Sequence, residues 1–323
     1  MKYFFILNPG SKGGKNSKIF NTIFKLLDKE GIKYDYKITK SLDDAYFLSL
    51  EANKGKYETI VACGGDGTIN RVLSGFYDQY GRRISQTKMG LIYTGTSPDF
   101  CKSYNIPIRL ESAVSVLLQN NIRQIQVGRI RYIDEINLAL SDKPLTESDK
   151  ITTRYFACCA NFGLGPLLAE KANSGIRKRI GDFLGTFSSL IYILFSYRPG
   201  NFIIKKDDCL EKINNVFNIS AGKTYYIASG IKINNELKEG DGRFYCLIIR
   251  NLQIKDWIKT LRMIYNGKQI VNNEVISLRY CRSLEIYGNN DHPEIEFDGD
   301  KIGFLPCQID MAEDKLDLIC DML

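Results

Sequence analysis

The sequence predicts an α/β domain, a parallel sheet with helices on both faces, followed by a β-sandwich domain with inserted helices. Three observations carry this. Strand and helix patterns alternate through residues 1–128, short strand patterns dominate residues 129–323, and 323 residues are too many for one ordinary core. Hydrophobic residues make up 44% and charged residues 25%, which excludes wholesale disorder.

The first strand is the apolar run Tyr3 to Leu7, closed by a Gly/Lys loop from Asn8 to Asn16. Ser17 then opens a helix whose apolar residues Ile19, Phe20, Ile23, Phe24 and Leu27 fall at helical spacing, and Gly31 stands where a helix C′ residue belongs. Lys33 to Thr39 reads as strand. Ser41 and Asp44 form a capping box for a second helix that ends before Gly55. Tyr57 to Cys63 is strand, Thr68 to Tyr80 helix, Lys88 to Tyr93 strand and Leu110 to Asn120 helix. Strands separated by helices imply parallel pairing.

Beyond Val127 the rhythm changes. Strand patterns appear at Arg129 to Ile133, Arg154 to Asn161, Phe217 to Ala221, Tyr225 to Ala228, Phe244 to Ile249, Ser283 to Tyr287, Glu294 to Phe297 and Lys315 to Cys320. A helical region from Leu167 to Tyr197 interrupts them, and Lys255 to Tyr265 reads as another helix.

The formal charge of +7 and pI near 8.8 suit anionic small molecules or an anionic membrane surface. The dense basic runs of a nucleic-acid binder are missing, so no nucleic-acid partner is expected. Nine cysteines are scattered with no C-x-x-C spacing, and His292 is the one histidine. This argues for a reducing cytosol, against a zinc site, and against histidine-based triads. The most apolar stretch, Phe183 to Ser196, falls short of the ~20 residues a spanning helix needs. No secretory signal or transmembrane segment is expected.

Three strand-to-helix crossings share one chemistry. Cys63-Gly64-Gly65-Asp66-Gly67-Thr68 offers glycines for positive φ or close backbone approach, followed by a helix N-terminus suited to phosphate. Asp66 there could hold a nucleotide hydroxyl or a magnesium water. Thr94-Gly95-Thr96-Ser97-Pro98-Asp99 follows another buried strand, and Asn8 to Lys15 adds two lysines without Walker A spacing. At the carboxyl ends of successive strands such loops make one crevice.

The order NPGSKGGK, VACGGDGTINRVLSG and GLIYTGTSPDFCKSYNIP resembles the catalytic domain of the diacylglycerol kinase and bacterial soluble lipid kinase family, in a superfamily with NAD kinases. RYFACCANFGLGP, ASGIKINNELKEGDGRFYCLII and EFDGDKIGFLP extend the resemblance through the second domain. It implies a first domain like those of NAD kinase and phosphofructokinase, a C-terminal β-sandwich, and an enzyme using ATP and magnesium on a lipid hydroxyl. Carried over by motif, nucleotide contacts fall on Asn8, Pro9, Gly10, Ser11, Lys12 and Lys15, on Thr39, and on Thr96. The turn supplies Gly64, Gly65, Asp66, Gly67, Thr68, Ile69, Asn70 and Arg71. Asp241 matches the family's magnesium-associated aspartate, flanked by Lys238 and Arg243, and Asp300 falls where the family has the glutamate base of its DGE motif. Asp66 and Asp99 would organise metal and nucleotide. On the residues alone, Asp298-Gly299-Asp300 reads as a hairpin turn.

Four positions depart from the family pattern: Arg71 for glutamate, Pro98 for asparagine, Gln126 for aspartate, and Asp300 for glutamate. They keep open a non-catalytic nucleotide- or lipid-binding relative, and the GGDGT signature shared with NAD kinases keeps open an NAD kinase-like enzyme. Arg177-Lys178-Arg179 and Arg198 flank the apolar stretch, and this pattern fits either a buried helix or contact with an anionic leaflet. The expectation is a cytoplasmic protein with peripheral membrane association. Nothing in the sequence excludes a homodimer.

Overall fold

The structure is a computed structural model that describes residues 2–10, 17–135, 143–146, 149–171, 197–228, 230–288, 291, 293–297 and 300–322. The chain forms two compact units, residues 1–127 with 312–323, and residues 128–311. Each holds its own buried cluster.

The first unit is a six-stranded sheet in the order β2 (Lys33–Ile38), β1 (Lys2–Leu7), β3 (Thr59–Gly64), β4 (Lys88–Tyr93), β18 (Leu316–Ile319) and β5 (Ile122–Ile125). The strands from β2 to β18 pair in parallel, and β5 runs antiparallel to β18. Helices α1 (Ser17–Lys29), α2 (Leu42–Lys54), α3 (Asp66–Ser74), α4 (Asp99–Ser103) and α5 (Leu110–Gln119) fill the crossovers. The expected signals act as read. Gly31 has φ +64° behind α1. Asp44 N–H donates to Ser41 Oγ at 3.2 Å while Ser41 N–H donates to Asp44 Oδ2 at 3.0 Å. Backbone N–H groups of Lys40 and Ser41 hold the Asp44 carboxyl below its ordinary value. α3 stops at Ser74, short of the expected Tyr80, with Gly75 as its cap.

One strand changes place. The sequence puts the pattern at 315–320 in the β-rich domain; the structure inserts it as β18 between β4 and β5 of the first sheet. Leu316, Leu318, Ile319 and Cys320 are all buried there. Burial of both faces, the mark of a strand inside an α/β sheet, explains the assignment.

The second unit is antiparallel. β8 (Cys159–Gly163), β16 (Glu294–Phe297), β17 (Asp300–Met311), β15 (Leu284–Tyr287), β9 (Gly200–Lys206) and β10 (Cys209–Gly222) pair in sequence, and β10 pairs back onto β8, closing a ring. β13 (Phe244–Arg250) and β14 (Ile276–Cys281) extend it from β10, and β6 (Gly128–Ile133) with β7 (Ile151–Phe156) extends it from β17. The long strands β10 and β17 each carry a register irregularity, which lets one strand serve two partners at different points along its length. β7 and β8 occupy the region expected as one strand at 154–161, split at Ala157 and Cys158. The described helices are α6 (Leu164–Lys171) and α7 (Ile254–Tyr265). The apolar stretch at 183–196 lies outside the described residues, and no described helix is long and apolar enough to cross a membrane.

Candidate functional site

β1, β3 and β4 are neighbours, so the segments after them gather at one sheet edge. Asn8 stitches two of them together. Its backbone N–H donates to the Cys63 carbonyl at 2.9 Å, and its Nδ2 donates to Thr68 Oγ1 at 2.7 Å. Gly10 N–H donates back to Asn8 Oδ1 at 2.9 Å, folding Pro9 and Gly10 over the turn. Ser11, Lys12 and Lys15 lie outside the described residues.

The glycines of the turn are required for space. Gly65 has φ −92°, and none of Gly64, Gly65 and Gly67 adopts positive φ. A Cβ on Gly64 would fall 2.4 Å from the Thr68 side chain, and one on Gly95 would fall 2.6 Å from the Gly65 Cα. Thr94 N–H donates to the Gly64 carbonyl at 2.9 Å. The loops after β3 and β4 therefore touch backbone to backbone. Of the two reasons glycine suits such a turn, close approach is the one that operates.

α3 begins at this contact, and no side chain caps it at Gly65. A helix N-terminus with no side-chain cap at the end of a parallel strand suits phosphate. Thr68, Ile69 and Asn70 are buried, and Thr96 is exposed. Thr39 is buried with both its N–H and its hydroxyl on the Leu7 carbonyl, so it braces the end of β1.

Asp66 and Asp99 each open a helix, α3 and α4. Asp66 Oδ1 is buried. Burial pushes the Cys101 thiol up and the Asp66 charge adds to it, so the Asp66 carboxylate is within electrostatic reach of α4. Asp99 is buried and accepts from Ser97 Oγ at 3.3 Å. The departure at Arg71 has a partner: Arg71 Nε donates to Asp43 Oδ1 on α2 at 3.1 Å, with the Arg71 side chain only 11% exposed. Gln126 lies between β5 and β6, and nothing in the structure explains its departure.

In the second unit, Asp241 is taken up by Arg243, whose Nε and Nη2 donate to its two carboxylate oxygens at 2.6 and 2.8 Å. This guanidinium, first of all, holds the Asp241 carboxyl below its ordinary value, with smaller contributions from Lys223 and Arg282. Lys223 Nζ donates to the Arg243 carbonyl at 2.8 Å, and Asp241 N–H donates to the Lys238 carbonyl. A magnesium ion does not fit this arrangement, because both carboxylate oxygens serve a guanidinium and three cations surround the group.

Asp66 and Asp99 fit magnesium better. Among the described residues no three His, Cys, Asp or Glu side chains cluster as a metal cage. Magnesium is commonly held by one or two carboxylates together with substrate phosphates, which suits two aspartates at the ends of adjacent crossings.

Asp300 opens β17, its backbone paired with Phe297 at the end of β16. Asp298 and Gly299, the centre of the hairpin reading, lie outside the described residues. Beside these strands lies a group of residues that sequence reasoning missed. Asn161 Nδ2 donates to Glu296 Oε2 at 2.6 Å, Ser220 Oγ donates to Asn161 Oδ1 at 2.6 Å, and Asn218 Nδ2 donates to Ser220 Oγ at 2.9 Å. Gly165 N–H donates to Asn218 Oδ1 at 2.8 Å, tying the network to the start of α6. Asn161, Ser220 and Glu296 are all buried. Alternation along β16 marks Glu296 as facing away from Ile295 and Phe297, and a single strand cannot say that a helix covers that second face.

The nine cysteines are free thiols, and only Cys209 is exposed. Burial pushes Cys63, Cys281 and Cys307 up and raises Cys246 to about 12, so these thiols are packing groups.

The fold is thus an α/β unit with glycine-rich loops at its strand ends, followed by an antiparallel β-rich unit. The family model described as the diacylglycerol kinase catalytic domain matches residues 2–130. The YegS C-terminal NAD kinase beta sandwich-like domain matches residues 170–320. The chain thus combines a diacylglycerol kinase-type catalytic domain with a YegS-type C-terminal domain, the two-domain layout of that kinase family. It is 22% identical over 318 residues to a Staphylococcus epidermidis protein named diacylglycerol kinase, covering 97% of this chain and 90% of that one. A Staphylococcus haemolyticus diacylglycerol kinase is 24% identical over 306 residues, covering 93% and 82%. A crystal structure of a Bacillus anthracis diacylglycerol kinase aligns with TM-score 0.64 at 16% identity, over 99% of this chain and 97% of that one.

Proposed function

We propose that this chain is a lipid kinase that uses ATP and magnesium to phosphorylate a lipid hydroxyl, diacylglycerol-like or sphingoid. The observation that carries the reading is the turn at Gly64–Thr68, walled by Gly95 and opening directly onto the uncapped α3. The relatives named diacylglycerol kinase support the acceptor class.

In this reading Asn8 and Thr68 hold the first loop and the turn in one piece, and the first-turn N–H groups of α3 bind phosphate oxygens. Lys12 and Lys15 screen phosphate charge. Asp66 and Asp99, together with the nucleotide, would hold magnesium, which would neutralise charge on the phosphates. Asp300 accepts the proton of the lipid hydroxyl as its oxygen bonds to the γ-phosphorus, and the bond to the ADP oxygen breaks. The buried network fixes β16, the strand paired with the one that carries Asp300. A lipid acceptor places the protein at a membrane surface, with the cytosol as its compartment.

The test is phosphate transfer from labelled ATP with magnesium to a panel of lipids in mixed micelles, with NAD as a parallel acceptor. Label on one lipid class is expected. Label on NAD alone would replace the proposal with the NAD kinase-like reading, and ATP binding without turnover would replace it with the non-catalytic one. Asp66→Ala is expected to abolish transfer while the melting temperature stays within a few degrees, since a first-turn carboxylate contributes only about 0.3–1 kcal/mol to its helix. Loss of cooperative melting would make Asp66 structural.

A further inference from the structure

The strands around the closed core of the second unit present apolar side chains inward at every second position: Phe202 and Ile204 on β9, Phe244, Cys246 and Ile248 on β13, and Ile213 on β10. Carried one step further along each strand, the same alternation places Lys206, Arg250 and Glu211 on the inward face. On β14, Cys281 belongs to the core, so Arg279 and Ser277 share its face. Inward positions that ought to be apolar are charged on four strands at once. They line a cavity of about 350 Å³ whose floor is Ile213 and Ile248. That volume is within the range of small-molecule sites.

The charges do not cancel. Lys206 Nζ pairs with Glu211 Oε2 at 3.2 Å. Among the described residues Arg250 and Arg279 have no side-chain hydrogen bond or ion pair. Arg250 is half-buried and Arg279 exposed, and two like charges lining one cavity beside apolar side chains repel each other unless an anion joins them. Planar N–H forks match phosphate oxygens in pairs. Asn272, Asn273 and Ser277 add neutral polar groups to the rim.

We propose that this cavity is a binding site for a phosphate group, separate from the nucleotide loops, with Arg250 and Arg279 as its anchors. The group belongs either to a small soluble phosphomonoester or to a phosphomonoester lipid headgroup. The site stands whether or not the chain is a kinase, because none of its residues is used in that reading.

The test uses the full chain and the double variant R250Q/R279Q. Titration calorimetry with glycerol 3-phosphate reads the soluble source. Flotation with phosphatidylcholine vesicles, with and without phosphatidic acid, reads the headgroup source. Removing each arginine is expected to weaken binding about tenfold, the equivalent of one charge-assisted hydrogen bond. Inorganic phosphate at matched ionic strength is expected to raise the melting temperature of the parent more than that of the variant. Its general stabilising effect as an excluded salt is common to both. Without phosphate the variant is expected to melt at or above the parent, since like charges have been removed; a lower melting temperature there, with unchanged phosphate binding, would make the arginines structural. Weaker calorimetric binding by the variant supports the soluble source, and loss of flotation alone supports the headgroup. Equal binding by parent and variant in both arms overturns the proposal. If the double variant does not fold, the exposed Arg279→Gln change alone carries the same comparisons.

Discussion

Asp300 stands where two readings of one residue meet. Its backbone pairs with Phe297 at the start of β17, and Glu296, next to Phe297 on β16, is anchored in a buried hydrogen-bond network. The readings separate experimentally. Asp300→Asn keeps size and turn propensity and removes the proton acceptor. Loss of a general base is expected to cost about 10²–10⁴ in kcat, whereas a turn substitution shifts stability by only about 0.5 kcal/mol. Turnover should collapse while ATP affinity and melting temperature hold. An Asp300→Asn enzyme with near-parental kcat would leave only the turn. At this scale the sequence was legible where a residue's type is demanded by its own backbone, as at Gly31 and the Ser41–Asp44 box. It was partly legible at Gly64, Gly65 and Gly95, where the need for glycine showed but its reason, the touching of two loops, is a tertiary contact. Asn161 and Glu296 were illegible, because what buries them comes from other strands and from α6.

Helix α3 depends on α2 as much as on its own sequence. Ser49 Oγ on α2 donates to the Val72 carbonyl at 2.7 Å, Asn53 Nδ2 donates to the Gly75 carbonyl at 3.1 Å, and Arg71 reaches back to Asp43. Arg71 inverts the charge expected for its family beside the phosphate turn, and the helix–helix pair accounts for it. Arg71→Glu, which restores the family residue, should place two carboxylates together and lower stability by about 1 kcal/mol, because Asp43 is largely exposed and exposed pairs are weak. Denaturant midpoints check this, and adding Asp43→Lys should recover the loss. An Arg71→Glu chain as stable as the parent would detach the residue from α2 and return it to the nucleotide. β1, β3 and β4 of the first unit were legible because burial on both faces gives continuous apolar runs, whereas the short β5 and α4 gave none. In the second unit β6, β13, β15, β16 and α7 were legible too, but β9, β14 and most of β10 and β17 were not: they mix polar residues into strands of which β10 and β17 carry irregular register and change partners, so no clean period of two survives.

The chain passes between its two units twice, at 127–128 and at 311–312, and the second passage completes the first fold. Among the described residues β18 is the strand that joins β5 to the sheet, through pairs from Leu316↔Ile125 to Ile319↔Ile122. Its flanks are tethered as well. Tyr77 OH donates to the Asp314 carbonyl at 3.2 Å, Arg83 N–H donates to Asp314 Oδ2 at 2.8 Å, and the Arg83 guanidinium, with its side chain 6% exposed, pairs with Asp317 at 3.1 Å. A sequence read from its start cannot foresee this, since strand order is decided by a segment nearly 200 residues beyond β5. Removing residues 312–323 would take Leu316, Leu318 and Ile319 from the core, bare the edge of β4, and strand a buried arginine. Buried cations deprived of their partner cost about 3–5 kcal/mol, and each large-to-small core loss about 2–5 kcal/mol. Together these are comparable to the ~5–15 kcal/mol that holds a domain folded. The truncated chain is therefore expected to lose amide protection throughout β3, β4 and β5 while the strands of residues 128–311 keep theirs. Hydrogen exchange read by mass spectrometry distinguishes the outcomes: protection lost from the β-rich strands instead would mean that the C-terminal segment belongs to that unit, as its position in the sequence first suggests.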